Sequence, residues 1–273
     1  MGQTIRAAAD YAVLKRVGRT QDYSVYVVKN KTTQEQCLLK IASDVRGNGL
    51  LDREAFLLRE LREEIERRNA EHKHRNQTDQ GLGYQRCFPR LVESCLVPEQ
   101  GNRRVNIIAI FGAASMMDLV PIEQWRARER VRVDPKSSAW IMGRLLKIFT
   151  LTHPMGVAAG KIDGGNILVN PIEHHVVLFD WTRARHHEGP LPLEVAREEI
   201  SQAARQVILA LGGDPETGLL PESDQLLDSR YADRLKYFVD KRVSDPIAAG
   251  AGFYELLGTL WESGFHDFTT MPL

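Results

Sequence analysis

Net charge is missing from this chain: 36 basic side chains balance 36 acidic ones across 273 residues, so no global field draws it to nucleic acid or a membrane surface. Cysteine is scarce. Cys37, Cys87 and Cys95 have no CxxC spacing, and an odd, small set suits a reducing compartment better than a disulfide framework, which points to the cytoplasm. Long hydrophobic runs are missing too. No stretch approaches the roughly 20 uninterrupted apolar residues of a membrane helix, and Met1 to Arg6 lacks the apolar run of a signal peptide. Internal repeats and low-complexity tracts are likewise absent.

What is present is a 43% hydrophobic composition, ample for a buried core. The first part reads as strands with one helix. Tyr11–Val17, Tyr23–Val28 and Gln36–Ile41 are β-branched and aromatic runs separated by turn residues. From Asp52, the residues Phe56, Leu57, Leu58, Leu61 and Ile65 predict an apolar helical stripe, followed by a polar, exposed helix end and loop over Arg67 to Gln85. Leu91–Val97 and Val105–Phe111 add two strands, the second nearly continuous in apolar residues and so central in the sheet. The remainder reads as helical. Helices are predicted over Ser138–Thr152, Glu194–Leu211, Asp224–Val243 and Phe253–Trp261, with a small hairpin formed by Ile167–Val169 and Val176–Phe179.

The order of a strand lysine, an acidic helix, an Asn-bearing loop and an Asp-bearing turn resembles a eukaryotic-type protein kinase domain over roughly residues 11 to 211. The match is closest in His153-Pro-Met-Gly156, followed by Ala159-Gly160-Lys161-Ile162-Asp163-Gly164-Gly165-Asn166, which is similar to a kinase catalytic loop position by position. The resemblance implies an α+β, two-lobed fold. Residues 1–112 would form an N-terminal lobe with a five-stranded antiparallel sheet and one helix, and 113–273 a mostly helical lobe, with a hinge at Phe111 to Ser115. It further implies ATP or ADP with Mg²⁺ held between the lobes. Lys40 would contact phosphate and Glu54 would pair with it, Glu60 being the alternative. Gly18 would lie in the turn covering the nucleotide and Phe111 beside the base. Asn166 and Asp180 would be the Mg²⁺ ligands, hard oxygen donors that suit this cation.

Two departures bear on activity. The turn Val17-Gly18-Arg19-Thr20-Gln21-Asp22-Tyr23 keeps one glycine where the family has two or three, which obstructs the close approach of backbone N–H groups to phosphate. In the loop, Lys161 stands at the catalytic-aspartate position and Asp163 where a phosphate-contacting lysine is often found. An ammonium cannot accept a proton from a substrate hydroxyl at neutral pH unless its pKa is strongly depressed. Three readings follow. The favoured one is a pseudokinase that binds nucleotide and regulates a protein partner. The second is a weakly active Ser/Thr or small-molecule phosphotransferase with Asp163 as base and Lys161 on phosphate, and the third a scaffold with an empty cleft. Only Arg183 to Val195 separates Asp180 from the next helix and no Ala-Pro-Glu follows, leaving little chain for a protein-substrate platform.

Other sharp readings carry less. His174-His175 and His186-His187 with Cys87 and Cys95 match no structural zinc spacing. The basic stretch around Lys73 and Arg75 follows Glu63, Glu64, Glu66 and Glu71, as a solvated surface does, so neither nucleic acid nor membrane is expected as a partner.

Overall fold

The structure, a computed structural model, describes residues 4–6, 9–110, 118–221, 227–261 and 266–273. The runs rich in Val, Tyr and Ile pair as strands: β1 Thr4–Arg6, β2 Asp10–Arg19, β3 Tyr23–Asn30, β4 Gln36–Ala42, β5 Pro89–Val97 and β6 Arg103–Ile110. They form one antiparallel sheet in the order β1-β2-β3-β4-β6-β5. The five expected strands are all there, and short β1 adds a sixth at the edge. Strand β6 is interior, as its apolar run predicts. Tyr11, Val28, Cys37, Leu39, Ile41, Val97, Val105 and Ile107 make the core of one face.

Helix α1, Asn48–Asn76, covers the other face with Leu51, Ala55, Leu58, Leu61 and Ile65 at helical spacing. Phe56, read from the sequence as part of that stripe, is 58% exposed, because 100° per residue turns it away from Ala55 and Leu58. The second half of α1 is held by exposed pairs such as Arg62–Glu66 and Arg67–Glu71, each worth about 0.3–0.5 kcal/mol.

The chain divides into two compact units, Met1–Leu119 with Trp181–Arg183, and Val120–Asp180 with Ala184–Leu273. The expected boundary at 112/113 and hinge at 111–115 lie outside the described residues.

In the second unit the described α-helices are the short α2 Ile122–Gln124, which runs on as a π-helical turn over Trp125–Glu129, then α3 Pro135–Thr152, α4 Leu193–Ala210, α5 Ser229–Val239 and α6 Pro246–Leu260. Helix α3 is its spine: Ile141, Met142, Leu145, Leu146, Ile148, Phe149 and Leu151 are fully buried, and it packs on α4 and α6. It begins three residues before the predicted start, because Asp134 accepts from the N–H groups of Lys136 and Ser137 and Pro135 takes the first position. Asp245 and Pro246 start α6 in the same way, seven residues before the predicted Phe253. Tyr231 of α5 is enclosed, its hydroxyl 2.8 Å from Ser138 Oγ, and burial pushes its phenol far above the ordinary range.

The strands of this unit are short. The hairpin β10 Ile167–Asn170 with β11 His175–Leu178 is joined by β7 Val120–Pro121. Val157–Ala158 (β9) pairs with Arg185–His186 (β12), and Val131–Val133 (β8) pairs with Thr270–Pro272 (β13). Among the described residues no helix is long and apolar enough to cross a membrane.

Candidate functional site

In the first unit, strand alternation sends Leu39 and Ile41 to one face of the sheet and Lys40 to the other, beneath α1. Lys40 Nζ donates to Glu54 Oε1 at 2.5 Å with both side chains 0% exposed, and lies 5.2 Å from the Tyr23 ring centroid. Glu60, six residues further along α1, is rotated about 240° from Glu54 and does not face the sheet in the same way. Glu54 is a hub. Its Oε2 accepts from Asn106 Nδ2 at 3.2 Å, and Asn106, the cross-strand partner of Lys40, also donates to the Leu51 carbonyl at 2.8 Å. Its Oε1 also accepts the Trp181 N–H at 3.2 Å, while the buried indole of Trp181 packs 5.5 Å from the Phe88 ring. The aromatic after Asp180 is thereby fastened to the same carboxylate that holds the lysine.

The turn between β2 and β3 is closed on itself. Gly18 pairs with Val25, and a Cβ there would meet that side chain at an ordinary 3.6 Å, so packing does not demand glycine. Thr20 Oγ1 accepts the N–H groups of Asp22 at 3.2 Å and Tyr23 at 3.1 Å, and the Thr20 N–H donates to the Tyr23 carbonyl at 2.8 Å. The N–H groups of Thr20, Asp22 and Tyr23 are thereby bonded within the turn and not open to phosphate. Asp22 adds a carboxylate at the tip, where it meets Arg183 at 2.8 Å. Sequence reading noted the missing glycines but not the threonine cap. Phe111, with Met116 and Met117, lies outside the described residues.

In the second unit the loop 159–166 brings Lys161, Asp163, Asn166 and Asp180 together. Lys161 Nζ lies 3.6 Å from Asp180 Oδ2 and 3.8 Å from Asp163 Oδ2. Asp163 Oδ1 accepts the N–H groups of Gly165 at 3.1 Å and Asn166 at 2.9 Å, so half of this carboxylate shapes the loop. Asn166 is 1% exposed. Its Nδ2 donates to the carbonyls of Lys161 at 2.6 Å and Asp180 at 3.2 Å, and its Oδ1 accepts the Asp180 N–H at 2.5 Å. Gly164 admits Glu123, whose N–H donates to the Gly164 carbonyl; a Cβ at 164 would lie 3.0 Å from that of Glu123.

Sequence reading missed Glu199 of α4. This buried carboxylate accepts the Gly160 N–H at 3.1 Å and meets His153 Nε2 at 3.2 Å. Because a carboxylate only accepts, this contact is made with His153 Nε2 as the donor. No local signal marks a bond spanning 39 residues. Glu199→Ala is expected to cost about 1–3 kcal/mol by taking the acceptor from the buried His153 and from the Gly160 N–H, and Glu199→Gln less, because the amide keeps one acceptor oxygen. Urea unfolding measures both. The segment after Asp180 is pinned to the same region: beyond the β9–β12 pairing, His187 N–H donates to the Gly156 carbonyl and Leu191 N–H to that of His153, each at 2.8 Å.

Magnesium is a poor fit to this arrangement. Of the two expected ligands, Asn166 has its carbonyl oxygen on a main-chain N–H, and the Asp180 carboxylate faces the Lys161 ammonium. Two unit charges about 4 Å apart near a protein surface repel by about 4 kcal/mol before further screening, and a divalent ion doubles that. Among the described residues no group of three or more His, Cys, Asp or Glu side chains is disposed to hold a metal.

No family model matches this chain. No curated protein matches it either. Solved structures do, and they define the class: the chain has a protein-kinase-like fold, a β-rich N-terminal part with one helix followed by a helical C-terminal part. It is similar to vaccinia related kinase 3, with TM-score 0.61 and 13% identity over 95% of this chain and 90% of that one. It is also similar to the Mycobacterium tuberculosis PknI kinase domain, solved as a double mutant, with TM-score 0.55 and 15% identity over 90% of this chain and 95% of that one.

Proposed function

We propose that this protein is a pseudokinase: it binds ATP or ADP without transferring the γ-phosphoryl group, and uses the bound state to regulate a protein partner in the cytoplasm. One observation carries the reading. The position of the catalytic base is Lys161, and the aspartate two residues on, Asp163, commits Oδ1 to the N–H groups of Gly165 and Asn166. General-base catalysis needs a carboxylate oxygen within hydrogen-bond reach of the substrate hydroxyl, and a misplacement of about 1 Å can cost on the order of 100-fold in rate. The buried Lys40–Glu54 pair supports the nucleotide half of the proposal, because it keeps an ammonium beside a fixed carboxylate as the phosphate lysine of a kinase requires. The short segment tied to β9 supports the other half, since it leaves little chain to seat a protein substrate.

A second reading, weak phosphotransfer to a Ser/Thr or small-molecule hydroxyl, draws on Asp163 Oδ2, which takes neither of those N–H bonds in a side chain 49% exposed. Thermal shift with ATP and with ADP, followed by ATP turnover, separates the two for wild type, Asp163→Asn and Asp180→Ala. The pseudokinase reading expects a shift in the wild type and no turnover. Turnover abolished in both variants would establish the phosphotransferase instead, and the absence of any shift would leave a scaffold that holds no nucleotide.

A further inference from the structure

We infer that Lys161 stands in for the divalent cation, so that this protein holds nucleotide phosphates without magnesium and excludes metal from Asp180. The inference rests on the nucleotide-binding reading above and adds which cation meets the phosphates.

Three observations converge on it. First, a kinase-like site needs positive charge beside the aspartate after β11, since a buried carboxylate facing phosphate would otherwise repel it. Asp180 is buried, and the Lys161 ammonium lies 3.6 Å from its Oδ2, close enough to neutralise it. Second, the other expected metal ligand is committed: Asn166 Oδ1 accepts the Asp180 N–H while its Nδ2 holds the Lys161 and Asp180 carbonyls. Turning Oδ1 toward a metal would strain or break the bond that fixes Asp180. Magnesium demands near-ideal octahedral geometry, so one carboxylate beside a fixed ammonium is a weak host for it. Third, the lysine is held from both sides. Asp163 Oδ2 lies 3.8 Å from Nζ, and Asp163 is itself fixed by the N–H groups of Gly165 and Asn166. The exchange of lysine and aspartate between positions 161 and 163 therefore yields a cation at 161 braced by two carboxylates. With its side chain 35% exposed, the ammonium keeps donors to offer a phosphate oxygen.

Calorimetric titration of ATP into the full chain, in excess EDTA and then in excess Mg²⁺, tests the phosphate half. Water-proton relaxation with Mn²⁺ alone, without nucleotide, tests the metal half. Wild type is expected to bind ATP with less than about a threefold change between the two conditions and to hold no Mn²⁺. Lys161→Met, once a cooperative thermal transition shows that it is folded, is expected to lose about tenfold in ATP affinity in EDTA, to recover it with Mg²⁺, and to gain a Mn²⁺ site. That site should vanish in Lys161→Met/Asp180→Asn. A wild type that requires Mg²⁺ for ATP, or that binds Mn²⁺ in a manner lost in Asp180→Asn, overturns the inference, as does a Lys161→Met variant that behaves like wild type in both assays. ATP binding in neither condition by either protein would sink the nucleotide reading, and the Mn²⁺ results would then decide by themselves whether Lys161 excludes metal.

Discussion

Glu54→Ala should lower the unfolding free energy by about 3–5 kcal/mol, the cost of stripping one partner from a fully buried ion pair. The loss has three parts. The Lys40 ammonium loses the Glu54 carboxylate, the Trp181 N–H loses its bond to Oε1, and Asn106 Nδ2 loses Oε2 while keeping the Leu51 carbonyl. Replacing the whole pair, Lys40→Met with Glu54→Leu, should recover part of the loss, since the two charges of the pair are removed together and the apolar surroundings of β4 and α1 accept hydrocarbon. Urea unfolding of the single and double variants measures the coupling. If the double variant were as unstable as Glu54→Ala, the cost would lie in packing rather than in the separated charges of the pair. ATP binding should fall in both, because the first loses the Glu54 carboxylate that holds Lys40 and the second loses the lysine itself.

Gly156→Ala should be at least as damaging for the second unit. Gly156 has φ +71°, and a Cβ there would fall inside contact distance of the Gly189 carbonyl oxygen and 2.5 Å from that of His187, both main-chain atoms with little room to yield. The left-handed conformation costs an L-residue roughly 1–2 kcal/mol before any clash. A total of at least about 3 kcal/mol follows, a fall in Tm of roughly 6–12 °C at this chain length. Thermal denaturation followed by circular dichroism checks it. The damage should reach the loop, because the Gly156 carbonyl accepts from His187 and the Gly156 N–H donates to the His153 carbonyl, beside the histidine that meets Glu199.

These residues also show what the sequence made legible. Alternating β-branched runs place the strands of the first unit to within a few residues, since a half-buried sheet imposes a period of two whatever its partners are. Glu54 was named from the family resemblance instead, and it lies among Leu51, Ala55 and Leu58, on the face of α1 that meets the sheet. The early starts of α3 and α6 were readable in principle, each from an Asp-Pro pair that supplies cap and first turn together. The pairing of β8 with β13 was not. It joins three-residue segments separated by most of the second unit, and nothing in Val131–Val133 names Thr270–Pro272 as its partner.

The candidate site divides along the same line. Residue types in order along the loop predicted which side chains gather, and Lys161, Asp163, Asn166 and Asp180 do lie together. What each is free to do depends on bonds that no spacing encodes: Thr20 closing the turn, Asp163 capping its own loop, Asn166 spending its carbonyl on a main-chain N–H, and Glu199 reaching Gly160 across 39 residues. Those commitments turn a degenerate catalytic motif into an argument about which functions remain.

The central claim is that nucleotide is held and not consumed. Incubating a stoichiometric amount of the protein with ATP labelled in the γ-phosphate, removing unbound ligand and assaying the label tests it most directly. The account predicts label retained with the protein and recovered as intact ATP; label released as phosphate or fixed covalently by the wild type, and not by Asp163→Asn, would contradict it.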